Sequence, residues 1–250
     1  MKKLNLLLLI VILHGALTAQ EIQKQDHDLV KAYPGIITSL ANNTVTFKSG
    51  KKIPYDDFSK KTTAELLEKP DIQDQFYYTY NQLGVHEKNN DAGRIRNDAF
   101  FKEIYGNTKE EVAQNLTTVI WCPKLVNVKL NFSKINNANL ALIKVSKDLD
   151  EHPEWKKYLT NIGGTFNWRK ISGTNRLSAH SFGITIDINT SFSNYWQWDC
   201  GCKDESKKLS YKNRIPMGIV EIFEKHGFIW GGRWKHYDSM HFEYRPEFFK

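Results

Sequence analysis

A chain of 250 residues that is 40% hydrophobic and 25% charged has the make-up of a globular protein, which excludes disordered, collagen-like and multi-span membrane architectures. Folding at that length buries roughly 70% of the unfolded surface, so no disulfide framework is required. The net charge of +7, from 35 Lys and Arg against 28 Asp and Glu, is scattered without a block of five like charges and argues against a nucleic-acid partner.

Residues 1–19 read as a signal peptide. Lys2 and Lys3 precede an apolar run from Leu4 to Leu13, and small residues follow up to Ala19. The run is too short to span a bilayer, which takes about twenty apolar residues. The mature chain is therefore expected to be exported, periplasmic or extracellular, with no stable membrane insertion after cleavage. Losing the leader removes two lysines, and the modest basic surplus that remains suits an anionic envelope polymer. In an oxidising compartment Cys122, Cys200 and Cys202 predict a structural disulfide. Cys122 pairing with Cys200 or Cys202 is the expectation, because a Cys-Gly-Cys bridge would be strained.

Residues 20–117 form an N-terminal β-rich region with linker helices. Strand-like alternation runs through Gly35 to Leu40, Thr44 to Phe47 and Lys52 to Tyr55, broken by Ala41-Asn-Asn and Ser49-Gly. A weak helical pattern surrounds Ala64 to Leu67. Asn81 to Gly93 reads as loop, and Asp98 to Tyr105 and Lys109 to Leu116 as short helices. Nothing in this region carries obvious chemistry.

Residues 118–250 form the second region. Val119 to Cys122 and Val126 to Leu130 read as strands around Pro123. Asn137 is placed to cap a helix with the stripe Ala138, Leu142, Val145 and Leu149. Pro216 and Gly227 bracket another helix, with the stripe Ile219, Ile222, Phe223 and His226. Ile184 to Ile188 and His241 to Tyr244 are strand-like. This irregular order of strands and helices predicts an α+β fold.

Chemistry concentrates in two segments. In Ser178-Ala-His-Ser-Phe-Gly-Ile-Thr-Ile-Asp187, an acid sits within an apolar strand and needs a partner. His180, before a bend at Gly183, could supply it, either as a salt bridge or through a shared metal ion. In Trp230-Gly-Gly-Arg-Trp-Lys-His-Tyr-Asp238-Ser-Met-His241-Phe-Glu243, alternation puts His241 and Glu243 on one strand face. Two histidines and an aspartate satisfy zinc and leave a position for water. Asp238, three residues before His241, is placed to accept that water's proton.

Ser178 to Asp187, followed about fifty residues later by Asp238-Ser-Met-His-Phe-Glu243, resembles the zinc D-alanyl-D-alanine carboxypeptidase and L-alanyl-D-glutamate endopeptidase family. Gly164-Thr-Phe-Asn-Trp-Arg169 and Trp230 to Trp234 look like its endopeptidase-type branch, and the likeness spans Leu125 to Pro246. The resemblance implies a Hedgehog/DD-peptidase-like antiparallel sheet with flanking helices. It also implies Zn2+ on His180, Asp187 and His241, with Asp238 as general base in the hydrolysis of amide bonds of peptidoglycan stem peptides. The substrate carboxylates call for a fixed cation, for which Arg169 is the first choice and Arg176 the second. Ser178 belongs to the same motif and is assigned to substrate binding; as a nucleophile beside His180 it would lack an orienting acid. His236 could pair with His241 across four residues but is read as a group at the rim or one step behind the ligands, Glu243 as the partner that orients an imidazole, and His226 as a packed or capping histidine. The chain is expected to be a monomer. Two other readings stand beside this one: a metal-containing but non-catalytic cell-wall or peptide-binding protein of the same fold, and an envelope protein whose tryptophans stack on sugars.

Overall fold

The computed structural model describes residues 29–82, 86 and 90–249, so the leader and any cleavage site lie outside the described residues. Three small antiparallel sheets and short helices make up a mixed α+β fold. The first sheet orders β1 (Ile37–Ala41), β2 (Thr44–Phe47) and β3 (Lys52–Pro54) as in the chain. Asn42 and Asn43, at φ 49° and 55°, make the tight turn between β1 and β2. Asparagine tolerates that left-handed backbone better than most residues.

Three helices follow: α1 (Thr63–Glu68), α2 (Asp98–Tyr105) and α3 (Lys109–Gln114). Each begins at a side-chain cap of the expected type, Thr62, Asn97 and Thr108 respectively. The second sheet pairs β4 (Leu116–Trp121) with β5 (Val128–Ser133). Against it lies α4 (Ala138–Leu149), which buries the predicted stripe Ala138, Leu142, Val145 and Leu149. Asn137 does hold the cap position of α4, but in a left-handed conformation at φ 58° and without a side-chain cap bond. A short turn, α5 (Lys156–Leu159), and α6 (Trp196–Cys200) precede α7 (Met217–Lys225). His226 closes α7 and bonds Asp148 of α4 through Nε2 at 2.9 Å, a packing and capping role.

The third sheet carries the site. Its order is β6 (Thr185–Asp187), β8 (His241–Tyr244), β7 (Phe228–Trp230), so β8 is central. Phe242 turns to the core and stacks on Phe223 of α7 with ring centres 3.8 Å apart. Its neighbours His241 and Glu243 consequently face the other way, as strand alternation demands. One apolar core joins residues from both regions: Tyr33, Phe47, Phe100 and Phe101 share it with Phe182, Phe223 and Phe242.

The cysteines depart from expectation. Cys200 and Cys202 are bonded to each other, and Cys122 is a free, buried thiol. Gly201, left-handed at φ 59°, turns the chain sharply enough to bring the two sulfurs together. Cys122 is enclosed by the core instead, and its N–H bonds Ser146 Oγ at 2.6 Å. Burial pushes its thiol up to about 12, so it stays protonated.

Candidate metal centre

Register brings the first two candidate ligands together. Asp187 and His241 are direct cross-strand partners in the β6–β8 ladder, so their side chains emerge side by side on one face. His241 Nδ1 lies 3.1 Å from Asp187 Oδ1. His180 comes from a single helical turn, Ala179–Phe182, that ends at Gly183 with φ 66°. Glycine suits that left-handed bend, and a Cβ there would stand 2.5 Å from the end of the Leu116 side chain of β4, which would have to shift. The turn places His180 Nε2 at 3.1 Å from Asp187 Oδ2. Donor atoms of His180, Asp187 and His241 all fall within 4.8 Å of one another.

The remaining ring nitrogens are already committed. His180 Nδ1 lies 2.8 Å from the Thr165 carbonyl, which makes it the protonated nitrogen and leaves Nε2 as a ligand. His241 Nε2 is directed at Glu243 Oε2, 3.5 Å away, which leaves Nδ1 to face Asp187. Burial alone would discourage charge on Asp187, but the two imidazoles overcome it and hold the carboxyl below the usual carboxylate range. Burial would likewise depress His241, yet its bonds to Asp187 and Glu243 raise it to about 10. Two imidazoles and one carboxylate converging on a point, each imidazole anchored from behind, suit a divalent ion such as zinc.

Asp238 sits in the turn leading into β8, held by its N–H to the Gly231 carbonyl at 3.0 Å. Its Oδ1 is buried without a hydrogen-bond partner among the described residues. Burial, reinforced by the nearby Asp187 charge, pushes its carboxyl up to about 7. An acid so tuned can accept and release a proton near neutrality.

The site opens into a cleft of about 430 Å³. Every residue given a ligand, base or substrate-binding role from the sequence reaches it: Ser178, His180, Asp187, Asp238 and His241, with Arg169 and Arg176 on the walls. Trp196, Trp198 and Trp234 line it too, whereas Trp230 is in the core with Nε1 bonded to the Ser239 carbonyl. His236 lies deeper than a rim group, 3% exposed, with Nδ1 on Asp91 at 2.7 Å and Nε2 on the Glu205 carbonyl at 3.0 Å.

Sequence reasoning missed the contribution of the stretch Asp91 to Arg96. Arg94 and Arg96 line the cleft, and Asp91 anchors His236. The only signal was a pair of arginines in a polar loop, and nothing local ties such a pair to a site some eighty residues later.

Residues 172–244 match the family model described as D-alanyl-D-alanine carboxypeptidase. That segment is a D-alanyl-D-alanine carboxypeptidase family domain. The domain holds His180, Asp187, Asp238 and His241, while Arg94, Arg96 and Arg169 reach its cleft from outside the match. Membership implies a DD-peptidase-like fold, and this family of zinc-dependent peptidases hydrolyses cell-wall peptides. Comparison with curated proteins and with solved structures gave no match.

Proposed function

We propose that this protein is an exported zinc metallopeptidase that hydrolyses amide bonds in peptidoglycan stem peptides. The observation that carries the reading is the His180–Asp187–His241 cluster with Asp238, whose Oδ1 has no hydrogen-bond partner among the described residues, lining the same cleft. His180 Nε2, Asp187 and His241 Nδ1 would hold the ion. When bound, the ion supplies Lewis acidity, drawing a water's pKa toward ~7 and polarising the scissile carbonyl. Asp238 Oδ1 accepts a proton from the attacking water and returns it to the departing amine. A purely wall-binding protein would have no use for a carboxyl tuned in this way.

Four guanidiniums line the cleft, and three are already paired with carboxylates: Arg94 with Asp91 and Glu205, Arg96 with Glu243, and Arg176 with Glu68. Arg169 has no carboxylate partner among the described residues and is exposed at the wall. This favours Arg169 over Arg176 as the reader of a substrate carboxylate, with Ser178 beside the ligand turn as a further contact. Export rests on the lysine-led apolar run at residues 1–19; among the described residues no helix is long and apolar enough to cross a membrane.

Mass spectrometry of peptidoglycan digested with the zinc-loaded protein tests the reading and names the bond. Loss of a terminal D-alanine marks a carboxypeptidase, and scission after L-alanine marks the endopeptidase-type branch. Intact stem peptides in the presence of zinc-loaded protein would overturn it.

A further inference from the structure

Behind His241 lies a buried charge network that reaches out of the matched segment. Glu243 is fully buried and is gripped from both sides. Its Oε1 pairs with Arg245 NH1 at 3.2 Å, and its Oε2 lies 3.5 Å from both Arg96 NH1 and His241 Nε2. The Gly93 carbonyl accepts from both guanidiniums, Arg96 NH1 at 3.1 Å and Arg245 NH1 at 3.2 Å. Gly93 can approach so closely because it carries no side chain: at φ 100° a Cβ would lie 2.2 Å from Ile229 Cδ1. Nearby, the Ala92 carbonyl accepts from Trp234 Nε1, and the Trp234 ring packs 5.5 Å from the His241 ring. Ala92 to Arg96 therefore docks against the back of the site at several points.

A buried carboxylate with a choice of partners holds an imidazole in one orientation only if its own charge and rotamer are fixed. Arg245 is shared with Glu247, which leaves Arg96 as the counter-charge on the oxygen that faces His241.

We propose that Arg96, from outside the matched peptidase segment, is a positioning residue for the metal site: it fixes Glu243 Oε2, which holds His241 with Nδ1 turned toward Asp187 and so sets the affinity for the ion. This rests on the metallopeptidase reading above. The N-terminal region is on this view part of the catalytic unit.

The test is the zinc dissociation constant of the full chain, measured by competition with a chromophoric chelator and independent of any hydrolysis. Removing an outer partner of a metal ligand weakens binding roughly 10- to 100-fold, and Arg96→Met is expected to fall in that range. Arg96→Lys, which keeps the charge, should recover most of the loss. In a Glu243→Gln background, Arg96→Met should add no further loss, because the path through Glu243 is already cut. Should Arg96→Met not fold, Arg96→Lys serves in its place: a loss under about 10-fold is expected, vanishing in the Glu243→Gln background. Wild-type affinity in Arg96→Met, or losses that simply multiply in the double variant, would overturn the assignment. A wild-type chain that binds no zinc overturns the metallopeptidase reading and this inference with it; zinc-binding wild type with an unaffected Arg96→Met overturns this inference alone.

Discussion

Asp56, Asp57 and Asp71, just after the first sheet, crowd together as closely as His180, Asp187 and His241 do in the cleft, with donor atoms within 4.8 Å in each case. Two members of the first cluster, with Asp74 beside them, already share a cation. Lys61 Nζ reaches Asp57 at 2.8 Å, Asp71 at 2.9 Å and Asp74 at 2.5 Å. Burial works against charge on that ammonium, yet bonds to the three carboxylates raise it well above the ordinary lysine value. In the cleft, the salt-bridge partners of Asp187 are two imidazoles, and Asp238 Oδ1 has no partner among the described residues. Proximity of donor atoms is thus the same in both places. What separates a salt cluster from a metal centre is whether a side chain fills the middle, and whether the donors are anchored from behind.

The largest effect should come from the cleft. Asp238→Ala is expected to keep zinc at wild-type occupancy, by metal analysis of the purified protein, while hydrolysis of stem peptides falls about 10²–10⁴-fold, the usual worth of a general base. A variant that loses its zinc, or stays active, would break the division between ligands and base. The salt cluster should answer in the opposite way. Lys61→Met leaves Asp71 and Asp74, 10% and 9% exposed, without their cation and should cost about 3–5 kcal/mol of stability in denaturant titrations. Its zinc content should not change; a fall would mean that the two clusters communicate.

A smaller effect sharpens the contrast through pH. In the metal-free protein the Asp238 carboxyl is raised to about 7, while in the unfolded chain it titrates near ~3.9. The fold prefers the protonated form, so the stability this group contributes is fully present below about 4 and is lost as pH rises toward 7. Asp238→Asn cannot ionise. It should therefore melt above the wild type at pH 8 without metal, and the gain should shrink toward pH 4. An equal gain at both pH values would mean that Asp238 is not held protonated by its surroundings.

Periodicity made the regular elements legible. The stripe of α4, the brackets of α7 and the alternation of β8 are local patterns, and a helix or strand exposes them along the chain. The candidate ligands were legible for a related reason, since their spacing follows from a turn, a strand and a second strand in register. The Cys200–Cys202 bridge was not, because strain judged from spacing alone ignores what Gly201 permits. Arg94 and Arg96 were not either, because a loop has no period to betray which surface it covers.

Residue order by itself determined the α+β character, marked the two chemical segments and named the candidate ligands and base, which stand at short, fixed spacings within those segments. The tertiary structure decided what surrounds them. It spent the N-terminal Asp91 and Arg96 on His236 and Glu243 and filled the Asp57–Asp71–Asp74 cluster with Lys61. It left Asp238 Oδ1 buried without a hydrogen-bond partner among the described residues. Those are long-range pairings of charges taken out of water, whose strength depends on burial and distance, and only folding sets either one.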